Sequence, residues 1–99
     1  MSVVIIGGHD CMACRYKDIC KEYGCTVKVY TQWRSNLARK IGQPDMMVLF
    51  TNPVSHKMTT IARQQAVRNN ITLVQSHFGS GSTLRNILEA KIKGEAVNE

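Results

Sequence analysis

The residues able to do chemistry in this chain sit in three short loops. Gly7-Gly8-His9-Asp10-Cys11-Met12-Ala13-Cys14 follows one apolar run, Pro53-Val54-Ser55-His56 follows another, and Ser76-His77-Phe78-Gly79-Ser80-Gly81-Ser82 follows a third. Together they hold all three histidines and two of the four cysteines. Thiolate and imidazole are soft ligands for zinc or iron, and two thiols three residues apart can close a disulfide. His9, Cys11 and Cys14 form a His-x-Cys-x-x-Cys run, which His56 would complete as a tetrahedral Cys2His2 site. This spacing lacks the second, widely separated Cys-x-x-Cys pair that marks zinc ribbons.

Iron porphyrin uses the same ligands differently, with one or two axial groups, an apolar slot and cations or N–H donors for its propionates. Met12, Met58, Trp33 and Phe78 are candidate walls. Arg15, Arg34 and Lys57 are candidate cations, and Ser80-Gly81 offers N–H groups at a helix start. Methionines and aromatics at helical spacing otherwise read as core. Without Cys-x-x-Cys-His, such a haem would be of the b type, held without thioether bonds. Asp10 as N-cap would set Cys11 at the start of a helix, where the dipole favours thiolate and Asp10 opposes it. Cys20, on an inward helix face, and Cys25, opening a strand, read as buried thiols. His77 alone reads as a hydrogen-bonding loop residue.

Other chemistry is poorly served. Neither glycine cluster matches G-x-G-x-x-G, and Tyr30-Thr31-Gln32 stands where a ribose-binding acid would fall. The chain has no serine in a nucleophile elbow, no paired carboxylates and no acidic phosphoacceptor cluster. A binding or sensing protein is thus favoured over a dedicated catalyst.

The elements that must position these loops follow from periodicity. Val3-Val4-Ile5-Ile6 and Met46-Met47-Val48-Leu49-Phe50 are continuous apolar runs, as in strands buried on both faces. Thr26–Tyr30 alternates like an edge strand, and Ile71–Val74 reads as the last. A first helix is expected from Cys11 to Tyr23, ended by Gly24. A short second helix carries Trp33, Leu37 and Ile41. A third, capped by Ser55, has Met58, Ile61, Ala62 and Ala66 inward, and a fourth carries Leu84, Ile87, Leu88 and Ile92. The βαβαβαβα pattern implies an α/β fold with a single open four-stranded parallel sheet in the order 2-1-3-4. Helices cover both faces in a Rossmann-like or flavodoxin-like manner. The switch point between strands one and three is where such sheets bind ligands. Residues 1–94 form the domain and 95–99 a tail.

Ninety-nine residues make one modest core, to which a bound ligand or a homodimer would add stability. The amino terminus has no basic flank and its apolar run is short, so neither a signal sequence nor a membrane span is expected. A cytoplasmic location follows, where structural disulfides are rare. The formal charge of +6 attracts anionic ligands or cofactors. Along the chain the basic residues are scattered and not interleaved with aromatics, a pattern that disfavours nucleic acid and reads as a solvated surface.

The Gly7-Gly8-His9 turn, Arg15-Tyr16-Lys17, Gly24, Pro44-Asp45, Val54-Ser55-His56 and the Gly-Ser turn before Leu84 resemble a bacterial family of small proteins. It is catalogued as domain of unknown function 2325, and the resemblance spans about Val3 to Leu88. It implies a compact α/β domain, with haem binding through Cys and His positions in some members. Cys11 with Cys14, and His77 in place of a basic residue, depart from the family pattern. The expected function is a cytoplasmic haem-binding, or else metal-binding, module that responds to redox state, oxygen or another gas. The alternative is a cofactor-free dithiol switch or oxidoreductase in which Cys11 attacks and Cys14 resolves.

Overall fold

A computed structural model describes residues 1–92. Strand β1 (Ser2–Gly7) is apolar from Val3 onward because helices cover both its sides, and it pairs in parallel with β2 (Thr26–Tyr30) and β3 (Met46–Asn52). Strand β4 (Thr72–Phe78) pairs with β3, giving the order β2-β1-β3-β4. In register, Val3 stands between Val27 and Met46, and Ile5 between Val29 and Val48.

Alternation along the two central strands divides the core. Val3, Ile5, Met46, Val48 and Phe50 pack with α1 (Ala13–Glu22) and α4 (Gly81–Ile92). Val4, Ile6, Met47 and Leu49 pack with α2 (Leu37–Ile41) and α3 (His56–Arg68). This is the expected sheet with helices on both faces, and β2 is the wetter edge strand. Gly24, at φ +71°, ends α1 as expected. Cys25 N–H donates to Cys20 O and Gly24 N–H to Lys21 O, both at 2.9 Å, in a Schellman motif.

Four local expectations are corrected. Strand β4 runs on to Phe78 instead of ending at Val74, because β3 extends to Asn52 and pairs with it, so Ser76, His77 and Phe78 belong to the strand and not to the loop after it. A 3-10 turn over Asp10–Met12 precedes α1, so the helix begins at Ala13 rather than Cys11, and Asp10 is not its cap. Its carboxylate is engaged elsewhere, by Thr31 and Gln32 after β2. Trp33 lies outside α2 and is 38% exposed, because that helix has room for only Leu37 and Ile41 inside. Ile92, at the end of α4, is exposed beyond the edge of the core. The domain boundary at 94 and the tail over 95–99 lie outside the described residues.

Candidate functional site

The loops after β1, β3 and β4 meet at one edge of the sheet, around Tyr16. This side chain is fully buried, and its hydroxyl donates to Gly79 O at 2.5 Å, tying α1 to the loop after β4. Gly8 and Gly79 make room for it, since a Cβ at either would lie 2.5 Å from Tyr16 Oη. Gly8 N–H donates to Pro53 O at 2.9 Å and closes the switch point between β1 and β3. Gly7 takes φ +92° where a Cβ would come within 2.2 Å of Phe50 O, so a side chain there is excluded both by conformation and by contact. Burial raises the Tyr16 pKa, and the neighbouring Cys11 raises it further.

Cys11, in the 3-10 turn, and Cys14, in the first turn of α1, are free thiols and exposed, as is His9 before them. Arg15 reaches across to α4, where its Nε is 2.8 Å from the position a Cβ on Gly81 would occupy. A Cβ on Gly81 would make the exposed Arg15 side chain shift. Ser80 caps α4, its hydroxyl accepting from Thr83 N–H at 3.1 Å. Arg15, Ser80 and Gly81 thus converge, with Cys11 and Cys14 borne on the same segment as Arg15. His56 is the exposed first residue of α3, behind the Ser55 cap. His77 stacks edge-on against Phe78 with ring centroids 4.7 Å apart, and Phe78 is 65% exposed.

Among the described residues, no three His, Cys, Asp or Glu side chains come together in a way that could hold a metal ion. The tetrahedral set of His9, Cys11, Cys14 and His56 is therefore not assembled. Of the candidate walls, Met58 is buried in the core on the α2/α3 side and Met12 packs against the core on the opposite, α1/α4 side, whereas Trp33 and Phe78 remain exposed. Lys57, a candidate cation, has its Nζ 4.0 Å from the centre of the Trp33 ring. Cys20 and Cys25 are buried thiols, as read. Burial and then the adjacent Cys25 push Cys20 up to about 12.

A cleft of about 230 Å³ between β2 and the loop before β3 lies at the opposite sheet edge, lined by Ser2, Lys28 and Pro44 among others. It is smaller than the ~300 Å³ at which small-molecule sites usually begin. A wider depression of about 580 Å³ opens beside His77, lined also by Thr51, Arg63, Gln75 and Ser76.

Sequence reasoning did not find the partners of Asp10 or the target of the Tyr16 hydroxyl. Tyr16 was legible as an inward helix position. Its partner lies 63 residues away, and nothing local marks it.

No curated protein matches the sequence. Among solved structures the chain is similar to the de novo designed Rossmann fold protein ROS2_36830, with a TM-score of 0.62 over 90% of this chain and 95% of that one. The two are 9% identical, so the likeness concerns the fold. The motifs on the β1, β3 and β4 loops lie within residues 2–91, which match the model of an uncharacterized protein conserved in bacteria, and the chain accordingly belongs to that family, DUF2325.

Proposed function

We propose that this chain is a small cytoplasmic module that binds haem b without covalent attachment and responds to redox state, oxygen or another gas. The observation that carries this reading is that exposed soft ligands and an exposed arginine share one segment beside the start of α4. Cys11 and His9 are exposed at the sheet edge, and four residues after Cys11 the Arg15 guanidinium lies against the start of α4. Haem needs only one or two axial ligands, so the separation of His56 from the thiols does not weigh against it. Arg15 with the Ser80-Gly81 turn would receive a propionate, and Cys11 or His9 would supply the axial group. Bound haem would supply a metal centre that changes ligation with oxidation state or diatomic gases. Haem is favoured over zinc because a structural zinc site calls for four protein ligands held together.

An absorption spectrum of anaerobically purified protein, with haem titrated in and metals counted, tests this. A Soret band saturating near one equivalent is expected, with the band lost or shifted in Cys11→Ser or His9→Ala. Protein that leaves the haem spectrum unchanged would sink the proposal.

A second reading has an observation of its own. Cys11 and Cys14 are both free and exposed, three residues apart. A cofactor-free dithiol switch would have the Cys11 thiolate attack and Cys14 resolve, passing two electrons and two protons to a disulfide partner. Reversible loss of two titratable thiols without haem, abolished by Cys14→Ser, would favour this alternative.

A further inference from the structure

The fold sorts the charges that the sequence scatters. Residues 31–44 and 53–71, which make α2, α3 and their adjoining loops, hold six cations: Arg34, Arg39, Lys40, Lys57, Arg63 and Arg68. All seven acidic residues fall outside these segments. These segments therefore carry an excess of +6, or +5 once Asp45, which closes the same loop between α2 and β3, is counted with them. All six cations are exposed.

On the α1/α4 layer the charges answer one another: Arg85 pairs with Glu22, and the Tyr23 hydroxyl donates to Glu89. The ion pair of Arg85 and Glu22 is the one such pair among the described residues. Of the acids nearest the basic layer, Asp10 is held at its rim by Thr31 and Gln32, and Asp45 accepts from Ser2. A surface kept soluble by charge ordinarily mixes both signs. Gathering one sign costs self-repulsion and builds a potential that captures anions.

The arrangement on α3 is directional. Lys57 and Arg68 stand on one stripe about 16 Å long, with the neutral Gln64 between them, while Arg63 reaches toward β4 and donates to Gln75 Oε1 at 2.8 Å. The stripe ends at the exposed Trp33, over which Lys57 lies. Cations spread over one layer suit a flexible polyanion with its phosphates on the cations, one end of the strand lying beside the Lys57–Trp33 pair. We infer that the α2/α3 face is a docking surface for single-stranded nucleic acid, bound through its backbone without sequence readout. The surface uses none of the thiols of the proposed haem site and does not depend on that reading.

Fluorescence anisotropy with a labelled oligo-dT of ~20 nucleotides tests the assignment. A dissociation constant in the micromolar range is expected at about 50 mM salt, with a log–log salt slope between about −2 and −4. The triple variant Arg39→Gln, Arg63→Gln, Arg68→Gln should weaken binding at least ~10-fold. The charge-matched control Lys17→Gln, Lys21→Gln, Lys91→Gln, which alters the other layer, should stay within ~3-fold. Binding should also quench Trp33 fluorescence, the chain having a single tryptophan. Circular dichroism of both triples separates lost binding from lost folding. Equal weakening in the two triples would overturn the assignment, because net charge alone would then account for binding. Tighter binding of a duplex, or of phosphatidylserine vesicles in place of the oligonucleotide, would overturn it as well.

Discussion

At the scale of single residues, Tyr16 does more to define the site edge than any of the thiols. Its ring packs against Phe50 at 5.3 Å, while its hydroxyl crosses from α1 to the backbone of Gly79. A hydroxyl buried this fully is stable only with a partner, and here the partner is a carbonyl that would otherwise lose its own. Tyr16→Phe keeps the packing and leaves Gly79 O unpaired, so urea unfolding should report a loss of about 1–3 kcal/mol. The loop that holds Cys11 and the start of α4 should loosen with it, seen as faster amide exchange at Gly79 and Gly81. A loss confined to global stability, with no change in exchange there, would mean that the bond does not tie the two loops. Gly7→Ala should cost roughly 3 kcal/mol or more, because the strained φ and the contact with Phe50 O add.

At the scale of elements, the chemistry-bearing loops are fixed by how each helix starts. Ser55 has extended backbone, and its hydroxyl accepts from Met58 N–H at 3.1 Å, capping α3 just before His56. Ser55→Ala should lower stability by about 1 kcal/mol. The loss should appear in thermal melts and should be recovered largely by Ser55→Asp, which can cap in the same way. The start of α1 is built differently. His9 is extended and gives no side-chain cap, and the 3-10 turn carries the chain into the helix. Asp10, freed from capping, spans to Thr31 and Gln32 and so holds the Cys11 turn against the end of β2. That difference separates a cap chosen by local geometry from one overridden by a tertiary contact.

For the whole molecule, the two sheet edges are stabilised by different means. At the edge remote from the site, Asp45 accepts from Ser2 N–H at 2.7 Å and from its hydroxyl at 3.3 Å, clipping the start of β1 to the start of β3. The Ser2 backbone N–H holds the Asp45 carboxyl below its ordinary value of 3.8, with a smaller contribution from the Ser2 hydroxyl. A carboxyl lowered in the folded state stabilises it above the ordinary value, and the contribution is lost as pH falls through the lowered one. Asp45→Asn should therefore lower the melting temperature at neutral pH, and the gap to wild type should close on acidification. A gap that widened in acid would contradict the assignment. The pairing is exposed, so the effect should be small.

The sheet was legible along the chain. Continuous β-branched and apolar runs at Val3–Ile6 and Met46–Phe50 can be satisfied only by strands covered on both faces, and four alternating βα units leave few ways to connect them. The same local signals carried Gly24, Ser55 and the inward residues of α3, because caps and periodicity depend on near neighbours in the chain. Tertiary structure alone decided which of the chemical residues meet. Local spacing grouped His9, Cys11 and Cys14 and suggested His56 across the switch point. The fold instead joins Arg15 to Gly81, Tyr16 to Gly79 and Asp10 to Thr31, each through side chains whose reach no periodicity encodes. It also decided the charge distribution. Six cations that look scattered along the chain share one layer because both crossover helices near them pack on the same side of the sheet.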